Sequence, residues 1–306
     1  MAFIDPVFRL LPDGVESVVF PFHMSMEGLE RNVICRDDAD CDAMVKSLCL
    51  CARRKNVIII IYAVASNHAH AAVLARRMDD AMAFGHEVKR NYSTKFKNRY
   101  GENKVLRHTS VDVRAIDTVW YLRNVLAYIP KNAFDNGATN LNDYKWTGFR
   151  AMFRQSKNGG LRKVSDLQKR EREKIMRTGD DLKTVPWMLN ADNELEPFSF
   201  CDVGYFEKVY NNDHAFFLKC IGNVNLAEMT QKTVVATRKG MTDAELVKEV
   251  SSISNNWYGK EVHGLASEKK ARILQYVKRS MKCGIPQLAR VFGIDRDTVE
   301  VILGKM

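Results

Sequence analysis

The first half of this chain switches between the two-residue period of strands and the 3.6-residue period of helices. Val57-Ile58-Ile59-Ile60-Ile61-Tyr62-Ala63-Val64 is β-branched and uncharged, which predicts a buried strand. Ser17–Met26 (SVVFPFHMSM) reads as an earlier strand, with Pro21 pointing to an edge or a bulge. His68–Leu74 continues the extended segment after an interruption at Ser66-Asn67, and Arg107–Ile116 reads as a further strand. Between these runs the period is helical. Met44, Val45, Leu48 and Cys51/Ala52 recur over Cys41–Arg54, behind the helix-start signal Arg36-Asp37-Asp38-Ala39-Asp40. Met78–Tyr100 predicts a long helix in which Val88, Tyr92, Phe96 and Tyr100 are spaced by four. Asp117 or Thr118 can cap a helix over Val119–Ile129.

After Phe153 the pattern loosens. Ser156-Lys157-Asn158-Gly159-Gly160 reads as a flexible turn and a domain boundary. Arg162–Arg177 is dense in mixed charge, as on a solvated helix face, and Val185–Phe200 reads as a loop. Phe206–Met229 is helical in pattern, Thr237–Gly240 reads as a linker, and the helical period resumes from Met241. The expected plan is a domain over 1–155, a helical and irregular connecting region over 156–236, and a helical domain over 237–306.

Composition narrows the class. With 306 residues and 46% hydrophobic content, a packed core is feasible and disorder is not the default. Lysine and arginine exceed the acids by 10, which favours a polyanionic partner. The longest apolar run, Val57–Ala65, is too short to span a bilayer, so no membrane role is expected. No secretory signal is read at Met1–Pro6, and seven cysteines without paired metal spacing point to a reducing, cytoplasmic compartment. Cys49 and Cys51 read as plain thiols on a helix rather than as ligands.

The candidate chemistry lies in Asn67-His68-Ala69-His70. Two histidines two apart on a strand face the same way and can hold one divalent ion. The spacing alone fits equally well two structural histidines at a strand end, and other metal hydrolases use it too. Lys89, Arg90, Lys95, Lys97 and Arg99 cover the rest of the long helix, either as a solvated face or as a basic surface for nucleic acid. His23, His86 and His108 fall into no evident ligand pattern.

The stretch Phe22–Phe149 resembles the HUH-type single-tyrosine transposases, most closely the REP-associated tyrosine transposases. Phe22-His23-Met24 is similar to the family's first strand, and Arg31–Asp38 to its strand-to-helix turn. Ala65-Ser66-Asn67-His68-Ala69-His70 is similar to Met-Pro-Asn-His-x-His, and Asn98-Arg99-Tyr100-Gly101 to the end of the following helix. Tyr128-Ile129-Pro130-Lys131-Asn132 resembles Tyr-Ile-x-x-Asn-Pro, and Asp143-Tyr144-Lys145-Trp146 the closing Asp-Tyr-x-Trp. The order of the pieces is more specific than any one of them. There are departures: Ala133 stands where the family has proline, Pro130 falls inside the tyrosine–asparagine pair, Ser66 replaces a proline, and the Leu-Trp-x-x-Arg-Phe segment is missing.

The resemblance implies an α+β fold, a ferredoxin-like antiparallel sheet with helices on one face, followed by an all-α C-terminal region. It implies Tyr128 as nucleophile and Asn132 as third metal ligand beside His68 and His70, with Mg²⁺ or Mn²⁺ as cofactor. Four residues apart on a helix, Tyr128 and Asn132 share a face, which agrees with those roles. The implied activity is cleavage and rejoining of single-stranded or hairpin DNA in transposition through a 5′-phosphotyrosine, by a monomer or homodimer. A core aromatic is the plainer reading of Tyr128 alone, and Tyr92, Tyr100 and Tyr121 compete with it. A non-catalytic hairpin-binding regulator and an unrelated metal hydrolase are the rival functions. Ile285–Leu303 reads as helix-turn-helix, with Gly293 at the turn and Asp295 or Asp297 capping the second helix. Ala244–Leu303 resembles the DnaA-like C-terminal domain of some family members. Arg296 and Thr298 would then approach a groove, while a small protein-interaction domain is the alternative.

Overall fold

The computed structural model describes residues 4, 7–27, 33–101, 106, 109–135, 141, 143–153, 160–223, 243–280 and 283–303. The linker at Thr237–Gly240, the turn at 156–159, His108 and the expected domain boundaries lie outside these residues. The chain forms two compact units, residues 1–229 and 230–306.

The first unit is built on an antiparallel sheet. Its strands are β1 (Val7–Leu10), β2 (Glu16–Glu27), β3 (Ile58–Val64), β4 (His68–Ala75) and β5 (Ser110–Ala115). Two helices join them, α1 (Asp38–Arg54) between β2 and β3 and α2 (Met78–Tyr100) between β4 and β5. The sheet runs β3-β4-β2-β5, with β1 on the early part of β2. Order and connection are those of a ferredoxin-like β-α-β-β-α-β unit, so the α+β expectation holds. The extended segment around Ser66-Asn67 is a tight hairpin, closed by Ala65 N–H donating to His68 O at 2.8 Å.

Register assigns the two faces. Met24 stands opposite Ala71 and Val113, and these side chains face α2. Helix and sheet approach closely there, because Gly85 offers no Cβ; one would lie 2.7 Å from Val111 Cγ1. α1 packs beside α2 on this face. The alternate positions His23, Ser25, Glu27, His68, His70, Asp112 and Arg114 face the other way. A third helix, α3 (Val119–Asp135), crosses that second face. Thr118 Oγ1 accepts from Tyr121 N–H at its start.

The outer edge of β3 is covered, which removes an open edge from the sheet. Val64 N–H donates to Trp146 O at 2.9 Å and Asp202 N–H to Ile59 O at 2.8 Å. Tyr144 Oη donates to Val64 O, and Trp146 Nε1 to Asp38 Oδ1. The Asp143–Trp146 motif therefore pins β3 to the start of α1.

Residues 160–223, read from sequence largely as a connector, are built into this unit. β6 (Arg162–Lys163), α4 (Lys169–Met176) and β7 (Met188–Leu189) enclose Val164, Met176, Trp187 and Leu189 against Cys49 and Leu50 of α1. Arg172 is buried and donates to the carbonyls of Ser165 and Leu167, so this charged run is only partly a solvated face. The helical pattern after Phe206 is split into α5 (Val203–Val209) and α6 (His214–Asn223), because Asn211 and Asn212 take left-handed backbone. Among the described residues the seven cysteines form no disulfide.

The second unit comprises α7 (Asp243–Tyr258), α8 (Ser267–Ser280), α9 (Ile285–Phe292) and α10 (Arg296–Ile302) around Leu246, Leu274, Leu288 and Phe292. Gly293, at φ 65°, ends α9, and Asp295 caps α10 by accepting from Thr298 N–H at 2.8 Å. Among the described residues no helix is long and apolar enough to cross a membrane.

Candidate functional site

The second sheet face carries the candidate site. His68 and His70 lie on β4, a central strand flanked by β2 and β3. The Ser66-Asn67 turn before them is anchored, since Ser66 O accepts from Ile34 N–H and Cys35 N–H at 2.7 and 2.8 Å. Their ring centroids are 5.0 Å apart. Helix α3 lies over them with a matching spacing: four helical residues rise about 6 Å and two strand residues about 6.7 Å. Tyr128 accordingly sits against His70, with centroids 5.3 Å apart edge-on, and Asn132 sits against His68. His68 and Tyr128 are half-buried, whereas His70 and Asn132 are buried. The four residues singled out in the sequence are thus brought together.

Pro130 does not separate them. It lies inside α3, yet the helix continues to Asp135. Proline withholds one backbone donor from the preceding turn. Asn132 Nδ2 donates to the carbonyls of Tyr128 and Ile129, both at 3.1 Å. Those bonds also fix the amide so that Oδ1 points at the His68 ring, 3.1 Å from Nε2.

Asn67 Oδ1 stands 2.6 Å from His68 Nδ1, which donates to it when that nitrogen carries the ring proton. In a neutral His68 the lone pair on Nε2 then faces the lone pairs of Asn132 Oδ1. A second ring proton or a cation between the two relieves that opposition.

His23, which matched no ligand pattern in the sequence, is part of the site. Its Nε2 is 3.2 Å from His70 Nδ1 and its ring centroid is 6.3 Å from that of Tyr128. The usable signal was parity: His23 falls on the same face of β2 as Ser25, which pairs with His70. Burial, then the Arg114 guanidinium, lowers the His23 pKa to about 4. Burial, then His68 and His23, holds His70 well below the usual imidazole range. Both rings are neutral at physiological pH. Glu27, opposite His68, is raised by burial and by Asp112. Among the described residues no three His, Cys, Asp or Glu side chains converge as a metal cluster; a site here needs the Asn132 amide.

No protein-family model matches the chain, and no curated protein sequence matches it. Among solved structures it is similar to a REP-associated tyrosine transposase bound to a REP hairpin, at 15% identity over 43% of this chain and 77% of that one, with a TM-score of 0.36.

On the expected basic surface of α2, Lys95 needs correction. α2 covers the sheet face opposite the histidines, and most of its cations are committed. Lys89 Nζ donates to Thr109 O and Arg90 pairs with Glu87. Arg99 bridges Asp37 and Asp40 at the start of α1, leaving Lys97 exposed. Lys95 is buried and donates to Ser47 Oγ at 3.0 Å, so it is not placed to meet a phosphate. In the second unit Arg296 and Thr298 are exposed, but the Thr298 hydroxyl donates to Asp295 Oδ2.

Burial lowers the Lys95 pKa from 10.5 to about 8, a destabilisation of about 3 kcal/mol. Between those values the unfolded chain holds a proton that the folded chain lacks, so stability rises with pH from about 8 to 10.5. Lys95→Met is expected to stabilise the protein at pH 7 by about 1–3 kcal/mol and to abolish that alkaline rise. Urea unfolding at pH 7 and pH 10 measures both.

Proposed function

We propose that this protein is a metal-assisted nicking and joining enzyme for single-stranded DNA beside hairpins, of the transposition type, with Tyr128 as nucleophile. The observation that carries the reading is Tyr128 and Asn132, one helical turn apart, set over His70 and His68. The motif order in the sequence points the same way.

The donor set fits Mg²⁺ or Mn²⁺. Two ligand atoms each about 2.1 Å from an ion, at right angles, are about 3.0 Å apart; His68 Nε2 and Asn132 Oδ1 are separated by 3.1 Å. The lone-pair opposition at that point is what a cation relieves. His68, His70 and Asn132 would hold the ion, which supplies charge neutralisation on the scissile phosphate.

The rest is the work of the chain. Tyr128, half-buried against His70, would supply its phenol oxygen as the nucleophile. Attack forms the Tyr128 Oη–P bond and breaks the bond from phosphorus to the 3′ oxygen. The phenol proton leaves the tyrosine, and the departing 3′ oxygen gains one as it becomes a hydroxyl. The strand end stays as a 5′-phosphotyrosine ester, so a 3′-hydroxyl can displace Tyr128 and rejoin DNA without ATP.

The three ligands are all neutral, so phosphate oxygens would bring the ion anionic partners that the ligand set lacks. Ion and strand should therefore bind cooperatively, each tightening the other by the same factor. In Tyr128→Phe, Mn²⁺ titrations with and without a single strand are expected to differ by at least about tenfold in Kd, a coupling of about 1.4 kcal/mol. Equal affinities would remove phosphate from the ion's coordination.

The α9–α10 pair is read here as a helix-turn-helix that grips the hairpin stem. Arg296→Ala is expected to weaken hairpin binding by about 1 kcal/mol or more, with no change in cleavage of a stemless strand. Unchanged hairpin affinity in a salt-matched binding assay would remove Arg296 from the DNA interface.

A further inference from the structure

His68 and His70 are each engaged through Nδ1 by a residue outside the proposed ligand set, Asn67 in one case and His23 in the other. For His68 the partner is an oxygen, which accepts from Nδ1 when the ring carries its proton there. For His70 the partner is another imidazole, and a neutral pair shares one proton across the 3.2 Å contact. Two arrangements are open. If His23 donates, His70 carries its own proton on Nε2 and has no lone pair to offer there. If His70 donates, Nε2 is unprotonated, as on His68, and both rings of the pair present the same nitrogen.

We propose that His23 is a positioning residue that accepts the Nδ1–H of His70 and so holds His70 in the tautomer whose Nε2 lone pair can bind the ion. This rests on the metal reading of the site. It makes His23 the counterpart of Asn67, and it explains a buried polar residue on β2 that the ligand set does not use. The position suits the role: His23 is 5% exposed, lies two residues from Ser25, the direct cross-strand partner of His70, and has Arg114 and Ala72 as its own cross-strand neighbours. The ring is therefore held between two strands, and its hydrogen bond points along the sheet face toward β4. Outer partners of metal-bound histidines fix ring orientation and tautomer, and losing one typically weakens metal binding about 10–100-fold.

The test uses the full-length protein with two substitutions at this position. His23→Leu removes the acceptor and keeps an apolar side chain in the buried position; His23→Gln restores an acceptor oxygen. Long-range ¹H–¹⁵N spectra of the metal-free proteins read the His70 tautomer, and calorimetric titration with Mn²⁺ reads affinity. Wild type is expected to show His70 protonated on Nδ1. His23→Leu should weaken Mn²⁺ binding about 10–100-fold and lose the single tautomer, while His23→Gln recovers most of both. His70 protonated on Nε2 in the wild type overturns the proposal, as does His23→Leu binding Mn²⁺ like wild type while staying folded by circular dichroism. If wild type binds no Mn²⁺ with or without a strand, the metal reading itself fails and this proposal falls with it; the tautomer spectrum separates that outcome from the others.

Discussion

Tyr128→Phe is expected to abolish the covalent protein–DNA adduct and to lower strand cleavage by at least about 10³-fold, the scale expected when a nucleophile is removed. The substitution keeps the ring, and with it the edge-on packing on His70 and His23. Stability should change by no more than about 1 kcal/mol, since only a hydroxyl on a half-buried side chain is lost. Single-strand binding persists for the same reason. The adduct separates a nucleophile from a core aromatic: a packing role, which the phenylalanine ring preserves, predicts no loss of adduct. Two of the competing tyrosines, Tyr92 and Tyr100, provide the contrast. Tyr92 donates to Ile34 O and Tyr100 to Asp40, both on the opposite side of the sheet, so neither can substitute.

His68→Ala is expected to lose Mn²⁺ binding and cleavage together. Removing one of three protein ligands is expected to weaken the ion by more than about 100-fold, beyond the 10–100-fold typical of an outer partner. His68 is the better ligand to remove, because it is half-buried beside a turn whose backbone bonds do not involve its ring. His70 is 1% exposed, and truncating it would leave a cavity under α3 that confuses lost metal with lost packing. Calorimetry with Mn²⁺, beside a melting curve, distinguishes the two. Retained ion affinity in a folded His68→Ala protein would remove the imidazole from the site.

Much of the scaffold is legible in the sequence, since local periodicity carries it. The helix over Met78–Tyr100 has the expected limits, and α1 begins where the Asp37-Asp38 signal places it. The helix ending expected near Ile129 instead runs on through Pro130 to Asp135. Proline withholds only its own bond, to the carbonyl of Leu126 one turn back, and the helix continues past it. The pairing of His68 and His70 with Tyr128 and Asn132 was implied by the family resemblance, and it fits because a strand step of two and a helix step of four are nearly the same length.

What was not legible depends on pairings between distant strands. His23 joins His70 only because β2 and β4 are neighbours in a particular register, which no local window of sequence contains. The α2 cations fail for a related reason. Arg99 and Lys95 look like a solvated basic stripe in one dimension, but α1 lies against α2 and claims both, through Asp37 and Asp40 in one case and Ser47 in the other. Composition counted those charges without knowing which carboxylates and hydroxyls had already taken them.

The measurement that bears most directly on Tyr128 as a metal-assisted nucleophile is peptide mapping of the protein after incubation with a labelled, hairpin-flanked single strand and Mn²⁺. A nucleotide-bearing peptide modified at Tyr128, absent without the ion and absent in Tyr128→Phe, is the predicted result. An adduct on another tyrosine, or tight hairpin binding with no adduct under either Mg²⁺ or Mn²⁺, would contradict it.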